Sequence, residues 1–218
     1  MEPRGTVSFR LPDLNVLVPL FAILILSLSV HEAAHAWTAD RLGDPTARML
    51  GRLTLNPLAH IDWIGTVLFP LIAILSGLPL LGWAKPVPVN MNRLGAPRRD
   101  FALVAMAGPI SNLVMAITAA FVLGAWTSST GGFVGDSRGT ALLGLAVRLN
   151  VLLAVFNLLP IPPLDGGNVL AGFVPENVAR LIDQMRPYGF LILYALLFTG
   201  MLWTLVGPVQ DVVLRWLL

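Results

Sequence analysis

The stretch Val30-His31-Glu32-Ala33-Ala34-His35 lies at the end of an apolar run that begins at Val16. Two histidines four residues apart on a helix project from the same face, where both imidazoles can reach one metal ion. The glutamate beside the first histidine is the residue type that acts as general base at such a metal. Because ionisable residues inside a membrane-length apolar helix are costly, their presence indicates a functional site.

The composition is that of an integral membrane protein. Hydrophobic residues make up 56% of the 218 residues and charged residues only 12%, whereas soluble domains average about 25% charged residues. The net charge of +2 does not indicate nucleic acid as a partner, because the basic residues gather in short loops between apolar runs. We therefore expect the lipid bilayer, and no nucleic acid, as the surroundings of this chain.

The apolar pattern predicts an α-helical polytopic fold in a single membrane-embedded domain over residues 1–218. Its core is expected at 14–170, and residues 171–218 are expected to form a surface helix, a last spanning helix and an interfacial tail. About four spanning helices are predicted, at about 14–42, 101–125, 140–159 and 188–206, with the surface helix at 175–186 and the tail at 211–218. Short edge strands are predicted at 48–57 and 85–90, and a Gly/Ser/Thr loop at 128–139.

The third metal ligand must come from outside the first helix. A catalytic zinc requires three protein ligands and an open position, and the absence of cysteine leaves a histidine, an aspartate or a glutamate. His60 and Asp62 are candidates, although both are more typical of loop contacts. Asp165 is the better candidate, because its proline-rich stretch is irregular backbone of the kind tolerated beside a cavity in a membrane. An aspartate before two glycines is also a common turn former.

Three stretches together carry a resemblance to a known family. The helix with His31-Glu32-Ala33-Ala34-His35, the stretch Gly108-Pro109-Ile110-Ser111-Asn112 and the segment from Asn157 to Gly166 resemble the site-2 protease family, over roughly residues 16–170. Members are intramembrane zinc metalloproteases that cut transmembrane segments of other proteins. The resemblance implies one zinc ion bound by His31, His35 and Asp165, with Glu32 as general base and Asn157 stabilising the oxyanion. It also implies a minimal form without PDZ or CBS domains.

Four further residues are candidates for catalysis or substrate binding. Asn157 fits an oxyanion donor and a helix-end hydrogen bond equally well. Asn112 is a candidate for substrate binding, but its small neighbours favour a bond between closely packed helices. Val87 and Val89 lie on the predicted edge segment, to which an unwound substrate could add as a strand.

Closure of the metal site constrains the topology. The two histidines lie near the C-terminal end of the first helix and Asp165 just past that of the third, so these helices must run parallel with one crossing between them. Residues 64–81 are therefore predicted to be re-entrant, although their 18 residues could also span. Basic residues flank this segment on both sides, which places both flanks and the active site toward the cytoplasmic side, in the plasma membrane.

The sequence therefore predicts a zinc metalloendopeptidase that hydrolyses peptide bonds in or near the transmembrane segments of a protein substrate, as in regulated intramembrane proteolysis. The alternative is a membrane transporter that passes a metal or protons through the His/Glu cluster. A transporter should carry further intramembrane acids or histidines along a path, and the predicted spanning helices have almost none.

Overall fold

The protein is almost entirely helical in a computed structural model that describes residues 14–76, 82–129 and 138–218. Nine α-helices lie in these residues: α1 Leu14–Arg41, α2 Thr46–Met49, α3 Phe69–Ser76, α4 Pro97–Ser129, α5 Arg138–Asn157, α6 Asp165–Phe173, α7 Glu176–Met185, α8 Gly189–Phe198 and α9 Met201–Leu217. A π-helical turn, Trp63–Leu68, leads into α3, and 3-10 turns cover Pro57–Ala59, Met91–Arg93 and Arg186–Tyr188.

Three helices of the described part, α1, α4 and α5, are long and apolar enough to cross a membrane. A fourth span is present if the helical pair Glu176–Phe198 and Met201–Leu217, bent by 80°, counts as one. Apolar residues on all sides suit a helix whose backbone groups bond internally and whose surface faces lipid. The predicted polytopic helical fold is confirmed.

Helix α4 is the centre of the packing. It contacts α1, α5 and α6, and its Ala116 joins a buried cluster with residues of α5 and of the C-terminal helices, namely Val147, Val151, Val155, Leu197, Leu202 and Val206. Small residues in α4 permit these close approaches, as is usual between membrane helices. Helices α1 and α6, which carry the predicted metal ligands, both pack against α4.

The predicted strand at 48–57 is wrong. The carboxylate of Asp44 accepts a hydrogen bond from Thr46 N at 3.1 Å, which starts the short helix α2. A turn follows at Gly51, whose φ of 68° lies in the left-handed region. The described residues contain no strand with which 48–57 could pair. The hydrogen bond to Asp44 and the turn at Gly51 therefore determine the local structure.

The predicted edge strand at 85–90 is also absent. In the 82–90 segment each bonded backbone N–H has a separate partner: Lys85 N donates to His60 O, Val87 N to Glu32 and Asn90 N to Asp44. Pro86 and Pro88 between them have no N–H to donate. A ladder cannot form on this pattern, and the segment is irregular backbone held by side chains.

The start of the apolar segment at 64–81 lies beside Trp83, which follows the segment in the chain. Trp83 N donates to Gly65 O at 3.2 Å, and the hydroxyl of Thr66 donates to Trp83 O at 2.8 Å. The close approach needs Gly65, since a Cβ there would lie 2.4 Å from the Trp83 ring. Residues 77–81 of this prediction lie outside the described residues, as do residues 130–137 of the predicted loop.

The last predicted span, 188–206, is divided in the structure. Helix α8 ends at Phe198, and Gly200, with φ of 75°, adopts the left-handed conformation that ends many helices. Helix α9 then runs through Pro208 to Leu217, so the predicted tail at 211–218 is part of a helix. Because the residues on both sides of Gly200 are mostly apolar, the hydropathy pattern predicts one continuous helix here.

Candidate metal centre

Three predicted ligand atoms converge at one point. The Nε2 atoms of His31 and His35 lie 3.0 Å apart, and Asp165 Oδ2 lies 3.1 Å from the first and 3.4 Å from the second. The histidines come from α1, and Asp165 is the first residue of α6. Residues 130 positions apart in the chain therefore share one site, as the topological constraint required.

Both imidazole rings are fixed by acceptors on their far side. His35 Nδ1 lies 2.7 Å from Val104 O, and His31 Nδ1 lies 2.6 Å from Asn112 Oδ1. A proton on each Nδ1 satisfies these acceptors, so each neutral ring presents an Nε2 lone pair to the centre. Both ligand rings are therefore held by α4.

The donor set fits a zinc ion. Two Nε2 lone pairs and the carboxylate oxygen of Asp165 would repel one another at these distances without a cation. Asp165 Oδ2 is buried and has no hydrogen-bond partner among the residues that the structure describes. Three donors on a tetrahedral zinc, at bonds of about 2.0–2.1 Å, lie about 3.3 Å apart, close to the spacing of these atoms. His31, His35 and Asp165 are thus the residues that would hold the metal.

Glycines make room for this cluster. A Cβ on Gly108 of α4 would lie 2.4 Å from His35 Nε2 and 2.5 Å from His31 Nε2. A Cβ on Gly166 would lie 2.2 Å from Leu158 O. Gly166 and its neighbour Gly167 are in helix α6, so the residues after Asp165 serve close packing and do not form the turn that was the alternative.

Glu32 lies beside the converging atoms and has its own anchor. Its carboxylate lies within 4.8 Å of the ligand nitrogens of both histidines, and Oε2 accepts a hydrogen bond from Val87 N at 2.9 Å. The residue is 8% exposed. The predicted general base is thus adjacent to the metal position, with its orientation set by the 82–90 segment.

These residues open onto a cavity of about 420 Å³ whose walls are mostly apolar. Val87 and Val89 line it, and so does Asn157, whose Nδ2 donates to Leu153 O at 3.0 Å. Asn112 does not line it. Asn112 is fully buried and bonds to His31 and Asn150, which favours the contact between helices over substrate binding.

His60 and Asp62, the other ligand candidates, take part in local loop structure. His60 Nε2 bonds to Thr54 O at 2.8 Å, and the Asp62 carboxylate accepts from Ile64 N and Gly65 N at the start of the π-helical turn. Sequence reasoning missed Val104 and Asn150. No sequence pattern could have identified the carbonyl of Val104. Asn150 could have been identified, because an asparagine inside a spanning helix indicates a hydrogen bond between helices.

Comparison with known proteins agrees with this geometry. A profile described as peptidase family M50 matches residues 134–200. YwhC of Bacillus subtilis (strain 168) is 37% identical over 209 residues, covering 93% of this chain and 92% of that protein. Rip2 of Mycolicibacterium smegmatis is 35% identical over 191 residues, covering 85% of this chain and 68% of that protein. Both relatives carry names that assign them to the zinc metalloproteases. No solved structure matches the chain.

The helical membrane fold and the buried His-Glu-His cluster define the class as membrane-embedded metallohydrolases. The chain belongs to peptidase family M50, the site-2 protease family of intramembrane zinc metalloproteases. This membership does not favour the transporter alternative.

Proposed function

We propose that this chain hydrolyses peptide bonds in or near the transmembrane segments of other membrane proteins, with one zinc ion held by His31, His35 and Asp165. The observation that supports it most directly is the convergence of these three donor atoms, with Glu32 beside them, at a cavity inside an apolar helical fold. Zinc, when bound, is a Lewis acid that acidifies water and polarises a carbonyl.

Glu32 is the general base of this reaction. It takes a proton from the attacking water and returns it to the leaving amine, which requires an ionised carboxylate within reach of both. The Val87 N–H bonds one of its two oxygens, and within the described part of the chain no hydrogen bond occupies the second, which we assign to proton transfer. Glu32 lies on α1 between His31 and His35, the proposed metal ligands. The helix therefore fixes the distance between the base and the metal position.

Asn157 is the proposed oxyanion donor. An amide nitrogen carries two hydrogens, and the bond to Leu153 O uses one of them. The other is available to a developing negative charge in the cavity that the residue lines.

The substrate reaches these groups as an unwound segment. Peptide bonds in a helix are shielded by their own hydrogen bonds, so cleavage requires local unfolding, and the apolar cavity suits the side chains of a membrane segment. Val87 and Val89 line the wall beside Glu32 and are proposed to contact the substrate next to the scissile bond.

The proposed orientation places the active site toward the cytoplasmic side of the plasma membrane, with residues 64–81 entering and leaving on that side. The hydrogen bonds that join Trp83 to Gly65 and Thr66 support a re-entrant segment. Basic residues before and after it support the cytoplasmic side. A labelling tag beside Arg99 should react only from the cytoplasmic side; reaction from outside would contradict this orientation.

The test of the function is Glu32→Gln in the full chain. A single-pass reporter with glycine and proline in its membrane segment should be cleaved by the wild type and not by the variant, while both bind one zinc per chain. General acid–base groups contribute about 10²–10⁴-fold to rate. The variant should therefore cleave the reporter more slowly than the wild type by at least that factor. Cleavage by Glu32→Gln at the wild-type rate would contradict the proposal. The same reporter with leucine in place of its glycine and proline tests the need for unwinding.

A further inference from the structure

The two ligand histidines are held by different kinds of acceptor. His35 Nδ1 faces the backbone carbonyl of Val104, which can only accept a hydrogen bond. His31 Nδ1 faces the side-chain amide of Asn112, which could present either its oxygen or its NH2 group. The tautomer of His35 is therefore set by the backbone, whereas that of His31 depends on how the Asn112 amide is held.

Asn112 is held by a second buried asparagine on another helix. Its Nδ2 donates to Asn150 Oδ1 at 2.9 Å, and its contact to Ser27 O, at 3.5 Å, is much longer. Asn150 in turn donates from Nδ2 to Ala146 O at 2.9 Å, one turn earlier in α5. Asn112 and Asn150 are 0% and 1% exposed, so solvent offers neither amide another partner.

The chemistry of these groups gives the chain of hydrogen bonds one direction. The carbonyl of Ala146 can only accept, so Asn150 turns its NH2 group toward it and its oxygen toward Asn112. Asn112 then turns its NH2 group toward Asn150 and its oxygen toward His31. His31 must donate from Nδ1, which leaves the Nε2 lone pair for the metal.

We propose that Asn150 is a positioning residue that acts through Asn112 to keep His31 in the tautomer that binds zinc through Nε2. This inference rests on the proposed metal site. A reversed Asn112 amide would set its oxygen against Asn150 Oδ1 and its NH2 group against His31 Nδ1, which would move the ring proton to Nε2. Two acceptors facing each other in a buried site are strongly disfavoured. When the Asn150 amide is removed, only the longer contact to Ser27 O, at 3.5 Å, still favours this orientation of Asn112.

The experiment compares Asn150→Leu with two matched variants of the full chain in detergent. Asn150→Leu keeps a similar volume and removes both hydrogen bonds. Asn150→Asp, as a neutral carboxylic acid, keeps an acceptor for Asn112 and a hydroxyl that can donate to Ala146 O. Val151→Ala removes buried volume from the next position of α5, where Val151 is fully buried, without touching the amide chain. Asn150→Thr is the substitute if Asn150→Leu does not fold, because its hydroxyl can donate to Ala146 O but is too short to reach Asn112.

Two quantities are measured. Zinc affinity is obtained by competition with a chelator, with zinc alone as the probe. The ring tautomers of the metal-free chain come from long-range ¹H–¹⁵N spectra after histidine labelling, which is tractable because the sequence contains three histidines. His60→Gln assigns the one that lies outside the site.

Asn150→Leu should bind zinc about 10- to 100-fold more weakly, the usual effect of losing a group that orients a ligand. Its His31 should lose the uniform Nδ1–H state, while His35 keeps it. Asn150→Asp and Val151→Ala should bind zinc like the wild type, although Val151→Ala unfolds at a lower temperature.

Unchanged zinc affinity or an unchanged His31 tautomer in Asn150→Leu would overturn the proposal. Equal weakening by Val151→Ala, or a loss of affinity in Asn150→Asp as large as that in Asn150→Leu, would also overturn it. If the wild type itself binds no zinc, the metal site fails. If the wild type binds zinc and Asn150→Leu binds it equally well, only the role of Asn150 fails.

Discussion

The three-helix bundle of α1, α4 and α5 and the 82–90 segment meet at the same site but are built differently. In the bundle, buried bonds between helices hold the two histidine rings from α4. The 82–90 segment has no regular structure, and single hydrogen bonds to side chains and loop carbonyls hold it, one of them from Val87 N to Glu32. With the proposed roles of these residues, metal affinity should depend on the bundle and proton transfer on the 82–90 segment, so mutations should separate the two.

Asp165→Ala should have the largest effect, because it removes a ligand. Structural zinc sites gain roughly 10–16 kcal/mol in total from about four ligands, so losing one should weaken binding roughly 100- to 1,000-fold. Cleavage should fall to background. Zinc content after dialysis and the reporter assay measure both. His60→Ala is the control, since His60 lies in a loop contact; loss of zinc in that control and not in Asp165→Ala would reverse the ligand assignment.

Gly108→Ala should disturb the helical bundle that holds the two histidine rings. The added methyl would lie about 2.4–2.5 Å from atoms of both histidines, so the rings or α4 must move, at about 1–3 kcal/mol of stability. We expect zinc affinity to fall about 10- to 100-fold. Gly124→Ala in the same helix meets nothing within 4 Å and should leave affinity and melting temperature nearly unchanged. Equal effects of the two substitutions would show that the contact with the histidines is unimportant.

Val87→Pro should affect the 82–90 segment and the orientation of Glu32. Proline removes the N–H that bonds Glu32 while zinc affinity stays at the wild-type value. A displaced general base should lower kcat by at least about tenfold, and at most by the roughly 10²–10⁴-fold that acid–base catalysis contributes. Val87→Ala keeps the N–H and is the control for the side chain. If both variants are equally slow, the valine side chain and not the hydrogen bond is what matters.

Asp44→Asn should give the smallest effect on chemistry and a moderate one on stability. Burial opposes ionisation of Asp44, but hydrogen bonds from Thr46 and from Asn90 N outweigh it and hold its pKa below the usual 3.8. A depressed pKa in the folded state means that the ionised group stabilises the fold at neutral pH, and that this contribution is lost as pH falls below about 4. Hydrogen bonds to a charged group are worth about 1.5–3 kcal/mol. The difference in melting temperature should be largest at pH 7 and shrink as the pH falls below about 4, whereas a constant difference would contradict this role.

The sequence was sufficient for the long helices and for the residues that meet at the site. Continuous apolar runs define α1, α4 and α5, and the spacing of His31, Glu32 and His35 is a local property of one helix. Asp165 could be predicted because its irregular, proline-rich stretch and the family resemblance both pointed to it. Its proximity to the histidines is a feature of the structure.

The errors arose where short-range chemistry outweighed hydropathy. The strand at 48–57 failed because Asp44 starts a helical turn, and the strand at 85–90 failed because prolines and side-chain partners replace a ladder. The break at Gly200 depends on one backbone conformation within an apolar stretch. The orientation of Asn112 depends on a partner 38 residues away, a contact that no local pattern encodes.

The position of Asp165 has a consequence for biosynthesis. A growing chain exposes His31, Glu32 and His35 long before residue 165 is made, and α4 must be in place before α6 can dock against it, where a Cβ on Gly172 would lie 2.3 Å from the Cβ of Ala102. With the proposed ligand set, the metal site has two of its three ligands until then. The assignment therefore predicts that a nascent chain in the membrane cannot cleave its neighbours before the segment with Asp165 has docked.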